Sequence, residues 1–194
     1  KTLRSEKIYK HKLNSKSTDT LIYTEDDDTF GVTISKSKSR EYLVISSYHT
    51  LTSEYRILRA DNPDGEFKIF QPRERGLEYG IFHYKDAFYL ITNADKATNF
   101  KLMKTSVENT AKENWKEVIP HRADVYLSDI TIFKDHLVIS ELKEGLTGLR
   151  IINQKDKSEH YLEFDEPAYL ASVGMNPDFN SDTLRFNYNS MITP

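Results

Sequence analysis

The chain has 194 residues, a net charge of −3 from 27 basic and 30 acidic side chains, and no cysteine. That length can bury a core without covalent staples, and the cysteine count excludes a disulfide scaffold, thiolate zinc sites and a cysteine nucleophile. The slightly acidic balance disfavours a nucleic-acid binder, and no apolar run approaches the ~18 residues of a spanning helix, so neither nucleic acid nor membrane is expected as a partner.

Twelve Tyr, ten Phe and abundant Ile, Val and Thr suit a pleated, half-buried surface, and predict β structure. In chain order, two short strands come first, Lys7–Leu13 and Thr20–Glu25. The run Glu41–Ser46 follows, then a strong turn at Asp61–Gly65, where proline presets one φ and glycine tolerates the opposite sign. Next come Ala87–Thr92 and, at Thr110–Glu113, a capping-box pattern that predicts about two helical turns leading to Trp115. The lone Trp115 is expected to cap a core. His136–Ser140 is a further strand, and two more are expected near Ala168–Gly174 and Thr183–Asn189.

These strands repeat. Ile45, Ile91, Ile139 and Phe186 are spaced by 46, 48 and 47 residues. Ile34, Ile81, Ile130 and Val173 form a preceding series, at 47, 49 and 43. Tyr9, Ile57, Leu102 and Leu149 follow at 48, 45 and 47, and Ile22, Ile69, Val118 and Leu162 at 47, 49 and 44. Four strand series with one period near 47 residues are the signature of β-propeller blades. The expected fold is therefore all-β, a propeller fragment of about four blades of four antiparallel strands, a single partial domain over residues 1–194. Complete blades are expected at about 29–72, 77–120 and 126–164, with half blades at 1–25 and 167–194. The absence of a start methionine at Lys1 and the half blades at both ends lead to the expectation of a piece cut from a longer chain.

Catalytic signatures are missing. The seven glycines form no nucleophile elbow, Walker loop or dinucleotide fingerprint. The six histidines lack metal-ligand spacing. Asp26–Asp28 fails the EF-hand pattern, and Asn176–Asp182, with oxygens at alternate positions, reads as a polar turn rather than a calcium loop. No cofactor or metal is expected. The notable chemistry is a set of charged connections between blades: Arg73, Glu74, Arg75 and Glu78 in the first, His121, Arg122 and Asp124 in the second, Asp165 and Glu166 in the third. Solvated turns are one reading. A charged rim that meets a second body is the other, since the planar arginine fork pairs carboxylates in bidentate fashion.

Longer phrases carry a family resemblance. Arg59–Lys68, Gln71–Tyr79, Asn99–Met103, Val118–Arg122, Phe133–Val138, Ser140–Leu146, Tyr161–Tyr169 and Asp182–Arg185 resemble, in order along nearly the whole chain, the oligopeptidase B (protease II) group of the prolyl oligopeptidase serine peptidases. The resemblance implies a seven-bladed N-terminal propeller over a C-terminal α/β-hydrolase domain, with this chain as the later part of that propeller. It also implies a cytoplasmic endopeptidase acting on short peptides after Arg or Lys. The catalytic Ser, Asp and His would lie in the hydrolase domain, so none is assigned here and the fragment alone is expected to be inactive. The implied partners are that hydrolase domain and short basic peptides. In a propeller the turns between outer and inner strands share a face with those joining the second strand to the third. The nine charged residues above, with turns 47–53, 93–99 and 141–145, are thus expected to face the hydrolase domain and gate substrate access. The alternative is a stand-alone, non-enzymatic binding propeller.

Overall fold

The computed structural model describes residues 3–193, so the outermost residues of the expected half blades, Lys1, Thr2 and Pro194, lie outside the described residues. Among the described residues, sixteen strands form five antiparallel sheets. A two-stranded sheet pairs β1 (Lys7–Lys10) with β2 (Thr20–Thr24). Three four-stranded sheets follow, each in simple meander order. The first holds β3 (Gly31–Lys36), β4 (Tyr42–His49), β5 (Thr52–Arg59) and β6 (Lys68–Ile69). The second holds β7 (Tyr79–Tyr84), β8 (Ala87–Thr92), β9 (Lys101–Ser106) and β10 (Lys116–Ile119). The third holds β11 (Tyr126–Ile132), β12 (His136–Lys143), β13 (Leu146–Asn153) and β14 (Glu159–Tyr161). A last pair joins β15 (Tyr169–Val173) to β16 (Phe186–Ser190). This is the all-β blade architecture that the repeat predicts.

For the series through Ile45 and through Ile34, the equivalence read from spacing is an equivalence of register, whereas the series through Ile57 drifts: Ile57 pairs with Val44, Leu102 with Ile91 and Leu149 with Ser140. Ile34 pairs with Ile45, Ile130 with Ile139, and Val173 with Phe186. Only the second sheet is offset by one, with Ile81 opposite Leu90. The β12–β13 turn is a two-residue loop in which Glu144 and Gly145 both have positive φ, the geometry that matches strand twist.

Side chains between neighbouring sheets form the core. Phe70, Tyr79, Phe88 and Trp115 are buried between the first and second complete sheets. Phe88 meets Phe70 and Tyr42 edge-on, with ring centres 5.1 Å apart in both cases. Ile91, Leu102, Leu127, Ile130 and Ile139 fill the next interface. Trp115 caps the core as expected, its indole N–H donating to the Thr110 carbonyl.

Two expectations need correction. The capping box at Thr110 opens no α-helix. Only a single 3₁₀ turn forms, Lys112–Asn114; its own N-cap, Ala111, makes no capping bond, and the Gln71 side chain accepts from the Lys112 N–H at 2.7 Å. The Thr110 hydroxyl instead donates to the Phe70 carbonyl, 2.6 Å away on the neighbouring sheet. A tertiary partner outcompetes the local cap. The last strand begins at Phe186 rather than Thr183, because Asn176 accepts from the Arg185 N–H and donates to its carbonyl, holding that backbone in the loop.

Among the described residues no helix is long and apolar enough to cross a membrane, and no group of three or more acidic or histidine side chains is placed to hold a metal ion. Asp27 and Asp178 accept from backbone N–H groups two residues ahead, closing ordinary turns.

Candidate functional site: a charged end built from interblade turns

Two sets of connections meet at one end of the sheets. Ser53 N–H donates to the Leu77 carbonyl, Gly76 N–H to the Thr52 hydroxyl, and Leu127 N–H to the Asn99 carbonyl. The Asn99 amide also donates to the carbonyls of Arg122 and Ala123. The turns between second and third strands are therefore tied to the connections between sheets. At the opposite end, the turns between first and second strands bond those between third and fourth, as in Ala60 to Glu41 and Gln154 to Asp135.

Arg73 anchors the first cluster. Its Nη2 donates to Glu25 Oε2 at 2.8 Å and lies 3.4 Å from Glu54 Oε1, while its backbone N–H donates to Glu54 Oε2 at 3.0 Å. Its guanidinium also stacks over Phe30, 3.7 Å from the ring centre. Glu54 takes a second arginine, Arg56, at 2.6 Å. Tyr23 donates to Glu25 at 2.9 Å. Burial alone would raise the Glu25 carboxyl, but hydrogen bonds from Arg73, Ser47, Tyr23 and the Asp27 backbone outweigh it and hold the group below its ordinary range.

Glu141 anchors the second cluster. It is 3% exposed and pairs with Arg122, with Arg150 at 3.6 Å and with the Tyr161 hydroxyl at 2.6 Å. Arg150 also bonds Glu159 at 2.6 Å. Both clusters are thus a buried carboxylate between two arginines, one from its own sheet and one from a connection. Their strand positions differ in an instructive way. Ser47 faces Glu54 across β4 and β5, and Glu141 faces Gly148 across β12 and β13. Counting from the paired Ile45 and Ile139, these are the same cross-strand site, with the carboxylate moved to the opposite strand.

The remaining charged residues do not join these clusters. Glu74 pairs with Lys112 at 3.0 Å, and Glu78 accepts from the Asn93 amide at 3.1 Å. Asp124 pairs with Lys143 at 3.3 Å, His121 lies 3.4 Å from the Thr98 hydroxyl, and Glu166 accepts from Thr193 at 3.0 Å. Arg75 and Asp165 are exposed. Sequence reasoning missed Glu25, Glu54, Arg56 and Arg150, and placed Glu141 in a turn although it lies in β12. The signal was there: a carboxylate or arginine inside an otherwise apolar strand must find a partner. A buried cation elsewhere, Lys101, bonds Asp95 at 3.0 Å and Glu117 at 3.3 Å.

Among the described residues, this end brings together paired charges from blades and connections. Comparison with known proteins decides the family. All 194 residues match the model described as the N-terminal β-propeller domain of prolyl oligopeptidase. The chain belongs to that family. It is 38% identical over its whole length to dipeptidyl aminopeptidase BI of Pseudoxanthomonas mexicana, of which it covers 27%. It is 28% identical over 188 residues to protease 2 of Moraxella lacunata, covering 96% of this chain and 26% of that protein. Among solved structures, oligopeptidase B of Trypanosoma brucei, in a closed form with covalently bound antipain, superposes with a TM-score of 0.89. That match has 30% identity and covers 98% of this chain and 28% of that one. The chain therefore spans about a quarter of the length of these relatives, which are peptidases by name. The four-stranded sheets are propeller blades.

Proposed function

We propose that this chain is the later part of the propeller of a serine oligopeptidase, and that its charged end faces a C-terminal hydrolase domain and gates access of short peptides. The observation that carries this reading is the meeting, at one end of the blades, of arginine–carboxylate clusters with the turns tied to them, Arg73 with Glu25 and Glu54 and Arg122 with Glu141. Strand order supports it: a chain that enters a propeller before an inner strand and leaves it after an outer one has both linkers at this end. Clusters of this type can hold a closed state and release it when a competing charge arrives. Arg73, Glu74, Arg75, Glu78, His121, Arg122, Asp124, Asp165 and Glu166 are the interdomain or gating candidates. The triad would lie outside this chain.

The proposed specificity is endopeptidase cleavage after Arg or Lys, supported by the phrases shared with oligopeptidase B. A second reading is release of N-terminal dipeptides, favoured by the 38% identity to a dipeptidyl aminopeptidase. Reporter peptides decide between them in the full-length protein. N-blocked substrates ending in Arg are cleaved only on the first reading, and free-amine dipeptide reporters are preferred on the second. On either, the isolated 194-residue chain hydrolyses neither.

A further inference from the structure

At the inner edges of the blades, away from the charged end, lies a cavity of about 470 Å³. The inner strands of the three complete sheets and the loop after β15 line it, through Ser35, Ile81, Ile132 and Gly174 among others. The register of β3 to β5 fixes the chemistry of one wall. Ser35 pairs with Val44, and Ser46 pairs with Tyr55, so these four side chains project from one face of the first complete sheet. The hydroxyls of Ser35 and Ser46 have no hydrogen-bond partner among the described residues.

Lys38 completes the lining. It sits in the turn after β3, and its Nζ is shielded from solvent yet hydrogen-bonds nothing. The amine rests 3.5 Å above the centre of the Phe133 ring, reaching from the first complete sheet to the third. No carboxylate among the described residues lies within salt-bridge distance, and Asp178 acts on it only from farther away. Burial lowers its pKa to about 8, so it is still mostly charged at neutral pH. A buried charge without a counter-ion is unusual. In a cavity that unengaged hydroxyls also line, it describes half of an ion pair.

We propose that this cavity binds a carboxylate, with Lys38 as the positive charge and Ser35 and Ser46 as hydrogen-bond donors. The ligand is either the C-terminal carboxylate of a short peptide or a small free organic acid. The lysine stem is long enough to leave the Phe133 ring and meet the ligand, and Val44, Ile81 and Ile132 give the ligand's apolar part a surface.

Isothermal titration of the full-length protein tests this without reference to turnover, so its outcome does not depend on whether the protein cleaves peptides. The probes are acetyl-Ala-Ala as free acid, the same peptide as C-terminal amide, acetate and citrate. A carboxylate should bind, and the amide at least tenfold more weakly than the acid or not at all. Lys38→Met, which keeps the stem and removes the charge, should weaken carboxylate binding at least tenfold, while Lys38→Arg largely preserves it. An unchanged thermal midpoint for Lys38→Met confirms that the fold is intact. Binding of the peptide acid without competition from acetate or citrate assigns a chain terminus. Binding of acetate or citrate alone assigns a free acid. Equal binding of acid and amide, no effect of Lys38→Met, or no binding by any carboxylate probe overturns the proposal.

Discussion

Arg73 and Glu25 join two blades. The guanidinium, carried by the connection after β6, places Nη2 2.8 Å from Oε2 of a carboxylate that follows β2. Glu25 is 8% exposed and Glu54, the second acceptor, 5%. Removing Arg73 would leave the buried Glu25 without a cationic partner, with Tyr23 still donating to it, and would leave Glu54 to Arg56. Arg73→Met is therefore expected to cost about 3 kcal/mol, the lower end for a broken buried pair because Arg56 remains on Glu54. Urea unfolding of the variant checks the value. A loss below ~1 kcal/mol would mean that the pair behaves as a solvated surface bridge.

The same pair makes stability depend on acid. The Glu25 carboxyl is held below its ordinary value in the folded state, so the unfolded chain binds its proton first as pH falls. Its contribution is full above the unfolded pKa of about 4.3 and disappears as pH drops through the lower folded value. The urea-midpoint difference between the parent and Glu25→Gln should be constant near neutrality and shrink below about pH 4. A difference that does not change with pH would show that Glu25 is not perturbed by folding.

Lys101 provides a contrast. Its side chain is buried, but its partners Asp95 and Glu117 are 67% and 48% exposed. Lys101→Met keeps the packing stem and releases both carboxylates to water, so the expected cost is less than about 1 kcal/mol. Thermal unfolding measures it beside Arg73→Met. The two should differ clearly although each removes one cation.

Phe88 tests the interblade core. It is fully buried, between Tyr42 and Phe70 of the preceding blade. Phe88→Ala should cost about 3–5 kcal/mol, from lost transfer energy and the remaining cavity. Phe88→Leu should recover more than half of that. Equal losses in both variants would point to ring geometry rather than buried volume as the source.

The sequence made the blades legible because strand alternation and the 47-residue period agree. Ile34 with Ile45 and Ile130 with Ile139 are spaced alike in sequence and are direct partners in the sheets. Thr110 shows where local pattern fails, since its hydroxyl is taken by Phe70 of another blade. The charged residues of the connections were legible as a group, because runs such as Arg73–Glu78 stand out against apolar strands. Their partners were not. Glu54 and Glu141 occupy one structural site on different strands: spacing sets Ser47 against Glu141, but the series through Ile57 and Leu149 sets Glu54 against Leu146, and only the register shows that Gly148 is its counterpart. Lys38 was silent for a related reason: nothing in its local sequence shows that Phe133 is its neighbour.

The central claim is that the arginine–carboxylate end faces a hydrolase domain, and amine cross-linking of the full-length protein with mass-spectrometric mapping tests it most directly. Lys96 and Lys143 are exposed at the charged end, and Lys134 and Lys157 are exposed in turns at the other. The account predicts cross-links from Lys96 and Lys143 to residues downstream of this chain, and none from Lys134 or Lys157. Downstream cross-links confined to Lys134 and Lys157 would contradict it.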